Sequence, residues 1–404
     1  MKPDDSLLKK YAEVMVLYAI NNGKGINKGD TVFLVGQEYS KDLYMAIAKE
    51  IYTAGGNVIN NYQPNNIRDN SLVRFLLENG TDEQIAFFAK PYWQGVVDAT
   101  DHIVFIIAEP DIHALEGLPS SKISMMNSAR APYMAMREKK EQAGKLSWTL
   151  CLYGTQSMAD EAGLTLEDYW EQIIEACYLR EDDPVTKWKQ VQQEIEIIKD
   201  KLDALEIEKL HVKGDDVDLV VQIGKHRKWL SGGGKNIPSF EIFTSPDWRG
   251  TNGHIHFNQP LYYSGKRIAG VLLQFENGVV VAASATENED ALKEMIAQEN
   301  ANKVGEFSLT DKRHSRITKF MATTLFDENM GGAFGNTHIA LGNAYKDAFT
   351  GDMSAVAEEQ WAEMGYNSCT KVHTDIISTT NRTVTATLSN NTERIIYING
   401  EFTL

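Results

Sequence analysis

Residues 31–62 read TVFLVGQEYSKDLYMAIAKEIYTAGGNVINNY, and this stretch decides the architecture of the first half of the chain. The apolar run at 31–36 has the character of a buried strand. Residues 40–52 read as a helix with Ser40 near its N-cap, and Gly55-Gly56 end it. Residues 57–62 then form a second strand, which completes a βαβ unit. Two more apolar runs, at 102–108 and 146–152, continue the strand series with helical stretches between them. The pattern predicts an N-terminal α/β domain with a largely parallel sheet. The loop after the first strand, Gly36-Gln-Glu-Tyr-Ser40, holds one glycine and an early acid, so it lacks the close backbone approach that a dinucleotide pyrophosphate needs.

Residues from about 165 to 206 are helical and charged, and their apolar spacing makes an amphipathic connector or packing helix. From about residue 210 the pattern changes to short strands and turns, with hairpins expected at Asn277-Gly278 and Asn399-Gly400 and one helix over 288–300. Two domains are expected: 1–207, the α/β domain with its connector, and 208–404, a β-rich α+β domain.

Composition narrows the function classes. The 404 residues carry a formal charge of -16, which argues against a nucleic-acid backbone as partner. The N-terminal residues lack the basic-then-apolar plan of a signal peptide, and no apolar run approaches the roughly 20 residues of a membrane span. A cytoplasmic protein is expected. The three cysteines, Cys151, Cys177 and Cys369, are widely separated, as in a reducing compartment, and they exclude a cysteine-rich zinc site. Of nine histidines, His102 and His113 lie in the first half and the other seven in the second, so metal chemistry is expected there.

Five segments of the second half carry polar groups that strand packing does not require. Glu241 sits in an apolar stretch bracketed by prolines, and a carboxylate there needs a cation, whether a metal or an arginine. Glu306 follows Gly305 and shares a strand face with Ser308. Asp327-Glu328-Asn329 opens a glycine-rich loop. His338 follows an Asn336/Thr337 cap, which predicts a helical turn, and Tyr345, seven residues on, falls on the same face if the helix continues. His373 and Asp375, two residues apart in an apolar β-branched segment, share one strand face and either ligate a metal or bond to each other. His254 and His256 are a competing pair on a second strand, without an evident carboxylate nearby, and are assigned to a surface or pocket-lining strand.

This ordered set, Glu241 in IPSFEIFTSP, Glu306 in GEF, Asp327-Glu328-Asn329, His338-Ile-Ala-Leu-Gly with Tyr345, and His373-Thr-Asp375, resembles the thermophilic-aminopeptidase family of metallopeptidases, M29. The resemblance covers the C-terminal half; the stretch between Glu328 and His338 is longer than in many relatives. It implies a dimeric cytosolic enzyme with two divalent ions per chain. It also implies Glu241, Glu306, Glu328, His338, His373 and Asp375 as ligands, and Tyr345 as a catalytic residue.

Donor chemistry agrees with that set. Nitrogen and oxygen donors without sulfur suit Zn, Co, Mn or Mg, and four acids with two imidazoles suffice for two cations, with Glu306 as the bridging candidate. Glu328 or Glu306 would serve as general base and Tyr345 as donor to the oxyanion. The expected function is hydrolysis of N-terminal residues from peptides with a free amine. The alternatives are another metal-dependent hydrolase, such as an amidase or phosphoesterase, and a non-catalytic metal- or peptide-binding protein.

Overall fold

The computed structural model describes residues 3–64 and 71–404; Met1 and Lys2 of the N-terminal segment read for a leader lie outside them. Contacts divide the chain into two units. The first comprises residues 1–190 and 233–238, the second 191–232 and 239–404. The division falls inside the long helix Pro184–Ala204, whereas residue 207 marks the onset of strand-rich structure.

The first unit is built on a parallel sheet ordered Asn57–Gln63, Thr31–Gln37, His102–Ile107, Ser147–Leu152 and Asn236–Ile237. The βαβ reading of 31–62 holds. Helix Lys41–Thr53 buries Leu43, Tyr44, Ile47, Ala48 and Ile51, a single stripe at helical spacing, and Gly55 at φ +88° follows its end. Ser40 is buried, yet its hydroxyl serves the backbone of Gln37 rather than the helix start.

A polar relay ties the N-terminal ends of three neighbouring strands together. The His102 ring places Nδ1 2.8 Å from Ser147 Oγ and Nε2 2.9 Å from Asp30 Oδ2. Asp30 precedes the first strand, and His102 and Ser147 begin the next two in the sheet. The Asn21 amide donates to the same Ser147 oxygen at 2.9 Å. Both Ser147 and His102 are buried, so these residues act as a staple rather than as a nucleophile open to substrate. His102→Ala is expected to destabilise the fold by about 2 kcal/mol, because the buried Ser147 and the partly buried Asp30 each lose a partner. Urea denaturation of the variant beside the parent checks the loss.

The second unit holds two large antiparallel sheets and a small two-stranded one, Leu261–Tyr263 with Lys266–Ile268. One has eight strands in the order Val279–Ser284, Val271–Glu276, Asn252–Phe257, Val217–Gln222, Ile207–Gly214, Thr383–Leu388, Glu393–Ile398, Glu401–Phe402. Its hairpins turn at Asn277-Gly278 and Asn399-Gly400, where both residues have positive φ as the right-handed strand twist requires. Alternation along Val217–Gln222 and Val271–Glu276 buries one face and exposes the other. The other sheet has five strands in the order His373–Ser378, Asn336–Gly342, Val304–Thr310, Glu241–Thr244, Leu230–Ser231. The buried Tyr397 hydroxyl links the two sheets by donating to the Thr310 carbonyl at 2.9 Å.

Register divides the five-stranded sheet into two chemically different faces. Ile242, Phe307, Leu309, Ile339, Leu341 and Ile376 share one, and all are buried. Glu241, Glu306, Ser308, His338, His373 and Asp375 share the other. Among the described residues no helix is long and apolar enough to cross a membrane.

Candidate metal centre

Four strands carry the site: Glu241 opens one, and the other three bring Glu306 and Ser308, His338, and His373 and Asp375 to the same face at a period of two. Pairing sets Glu306 opposite Ala340 and Ala340 opposite Asp375, and sets Gly342 opposite His373. The strand Asn336–Gly342 therefore offers His338 and then only the small residues Ala340 and Gly342 between Glu306 and the His373/Asp375 pair. Gly342 has φ +103°, and a Cβ there would meet the Val372 carbonyl oxygen at 2.1 Å. Gly305 admits the Asn343 carbonyl just as closely, since a Cβ would sit 2.2 Å from it. That close approach beside Glu306 was legible in the sequence; its partner was not.

The helical turn expected at His338 is a strand, Asn336–Gly342. Burial on both faces of the sheet makes Thr337-His-Ile-Ala-Leu341 an uninterrupted buried run, which a cap-and-turn reading cannot distinguish from a short helix. Tyr345 accordingly does not share a helix face with His338. It lies three residues beyond the strand, its N–H donates to Ser245 Oγ at 2.8 Å, and its ring packs against Phe243 and His373, with centroids 5.7 and 4.7 Å away. Glu328 caps the short helix Thr324–Asp327.

The donor atoms converge. His338 Nε2 lies 3.2 Å from Glu241 Oε2, 3.3 Å from Glu306 Oε1 and 4.0 Å from Asp375 Oδ1. His373 Nε2 lies 3.6 Å from Glu306 Oε2 and 3.8 Å from Asp375 Oδ1. Glu306 thus turns one oxygen toward each imidazole. Among the described residues two groups have the spacing of a metal site, Glu241/Glu306/His338 and Glu306/His373/Asp375, with Glu306 in both. Glu328 belongs to neither group. His373 Nδ1 lies 2.8 Å from the Asn343 carbonyl, which can only accept, so Nδ1 carries the proton and the Nε2 lone pair faces the carboxylates. No sequence signal marked Asn343, because the contact is made by its backbone.

Electrostatics call for cations. Among the described residues Glu241, Glu306 and Asp375 pair with the two imidazoles, Ser308 Oγ donates to Glu241 at 3.2 Å, and no Lys or Arg meets these three acids. The arginine alternative for Glu241 is therefore excluded. Burial, followed by the charges of Glu241 and Asp375, pushes the Glu306 carboxyl up to about 7 against the pull of His338. Burial and the same two acids raise Glu328 well above the usual carboxylate range. Burial disfavours the charged ring of His338, yet Glu241 and Glu306 outweigh it and hold that imidazole above its ordinary value. So many acids with so little compensating charge fit divalent cations, and the oxygen and nitrogen donors suit such ions.

The two groups differ in access. His338 is 1% exposed, whereas the His373 side chain retains 25% and Tyr345 is 41% exposed. The His373 side of the centre is the side that meets solvent.

The competing pair stands elsewhere. His254 and His256 lie on the eight-stranded sheet, and the expectation that they lack a nearby carboxylate is wrong. Asp218 is directly opposite His254 and Asp216 lies 4.0 Å from His256, because strand pairing brings residues 36 to 40 positions earlier alongside. Neither histidine joins a metal-spaced group among the described residues.

Residues 4–402 match the family described as thermophilic metalloprotease, M29. The chain belongs to this family. Similar proteins include aminopeptidase PepS of Streptococcus thermophilus, 27% identical with 98% of each chain covered. Aminopeptidase AmpS of Bacillus subtilis (strain 168) is 27% identical over 87% of this chain and 88% of its own. The structure of wild-type AmpT from Thermus thermophilus superposes with a TM-score of 0.82 at 23% identity, covering 98% of this chain and 99% of the other. Membership makes the chain a hydrolase of the metalloprotease class, and the AmpT likeness supports the mixed α/β fold expected from the sequence.

Proposed function

We propose that this M29 protein is a dinuclear metallo-aminopeptidase that removes N-terminal residues from peptides with a free amine. The observation that carries the reading is Glu306, which belongs to both metal-spaced groups and turns one oxygen toward each imidazole. The relatives named as aminopeptidases support the substrate class. Glu241 and His338 would hold one ion, His373 and Asp375 the other, and Glu306 both. Two divalent cations of the Zn, Co, Mn or Mg type would polarise the scissile carbonyl and lower the pKa of an attacking water.

The chain's own groups do the rest. Of the two candidate bases we assign the role to Glu328, which the resemblance also gave as a ligand, because Glu306 belongs to both metal-spaced groups and Glu328 to neither. Its buried carboxyl has an elevated proton affinity and stands close enough to Glu241, Asp375 and Glu306 to feel their charges. Tyr345 keeps its phenol proton, since burial and the charges of Glu306, Asp375, Glu241 and Glu328 all raise its pKa far above the ordinary value. Its position beside His373 suits it to donate to the oxyanion. A cytoplasmic homodimer is part of the same proposal.

The test is hydrolysis of leucyl-4-nitroanilide, with bound metal measured, before and after chelation and beside the N-acetylated substrate. Chelation should abolish cleavage and divalent metal restore it, while the acetylated substrate resists. Equal cleavage of the blocked substrate would refute the free-amine reading, and bound metal without turnover would leave a binding protein.

A further inference from the structure

Asn329 follows Glu328 directly and is completely buried. Every polar atom it owns is engaged. Its side-chain oxygen accepts the Phe240 N–H at 2.5 Å. Its side-chain nitrogen donates to the Leu325 carbonyl at 3.1 Å and to Glu328 Oε1 at 3.3 Å. Its own carbonyl accepts the Ser315 hydroxyl at 2.5 Å, and its N–H donates to Phe326 O at 3.0 Å. The orientation of the amide follows from these partners, because the Phe240 N–H can only donate and the Leu325 carbonyl can only accept.

Phe240 precedes Glu241, the first residue of its strand. One amide therefore reaches both the backbone that delivers Glu241 and the carboxyl of Glu328. Sequence separation hides the link, since Phe240 and Asn329 are 89 positions apart. We propose that Asn329 is a positioning residue that fixes Glu328 against the strand bearing Glu241, holding the proton acceptor in register with the cation-binding carboxylates. The inference rests on the roles given above to Glu241 and Glu328. A side chain that bonds and orients such groups is worth about 10- to 100-fold in metal affinity or activity.

Aspartate keeps the shape of asparagine and its acceptor for Phe240, and removes the amide donors. Leucine keeps most of the volume and removes both arms. In Asn329→Asp, cobalt(II) titrated into the metal-stripped protein should bind within threefold of wild type, whereas kcat falls about tenfold or more at unchanged KM. In Asn329→Leu, cobalt(II) affinity should fall about tenfold as well, because the entry to the Glu241 strand loses its anchor. A residue with only a packing role would lower the melting temperature of both variants and leave kcat and cobalt affinity of the folded protein alone.

Wild-type kcat in Asn329→Asp overturns the Glu328 arm, and wild-type cobalt affinity in folded Asn329→Leu overturns the Glu241 arm. If Asn329→Leu does not fold, the kcat of Asn329→Asp decides the proposal. A wild-type protein that binds cobalt(II) and cleaves no peptide would refute the proposed function, and the cobalt affinities would still report on Asn329.

Discussion

Glu306→Gln is expected to remove both cations from the protein and to lower kcat/KM by about 10³-fold or more, since the loss of metal stabilisation amounts to several kcal/mol of barrier. The substitution changes almost no volume, so its effect isolates charge and ligand character. A neutral amide cannot present two anionic oxygens to two sites, and Glu306 is the one side chain shared by both groups. His373→Ala is the informative contrast. It deletes a member of the solvent-facing group alone, so metal analysis should show one ion retained by Glu241, Glu306 and His338, with activity lost. Elemental analysis of both variants after dialysis checks the pair. Full metal content in Glu306→Gln would rule out the bridging role.

Tyr345→Phe is expected to keep both metals and lose about 10²- to 10³-fold in kcat, the usual scale for one oxyanion donor. The ring packs on Phe243 and His373 through its edges, and the backbone N–H bond to Ser245 does not involve the hydroxyl, so phenylalanine keeps those contacts. Folding and KM should therefore change little. Steady-state kinetics with a metal assay on the same sample are the measurement, and a normal kcat would exclude Tyr345 from the reaction.

The sequence exposed much of the site because the site lies largely on strands. A period of two placed His373 beside Asp375 and Glu306 beside Ser308, and both pairs share a face in the structure. Glu241 was marked by the incongruity of a carboxylate in an apolar run. His338 misled because its strand is buried on both faces, which erases the alternation that identifies half-buried strands. A strand reading of residues 336–342 would also have placed the small residues Ala340 and Gly342 between Glu306 and the His373/Asp375 pair. His254 and His256 misled for a related reason: their carboxylate neighbours, Asp218 on the adjacent strand and Asp216 in the turn before it, are invisible to local spacing.

The sequence by itself determined the βαβ start of the parallel sheet, the Asn-Gly hairpins and the chemical character of the donor set. These depend on local periodicity and turn chemistry, which a few neighbouring residues specify. Only the tertiary structure decided that Glu306 divides its oxygens between two imidazoles, that Asn343 fixes the His373 tautomer, and that Asn329 joins Glu328 to the Glu241 strand. Each is a contact between residues far apart in sequence, set by strand register and by the need to pair every buried polar group.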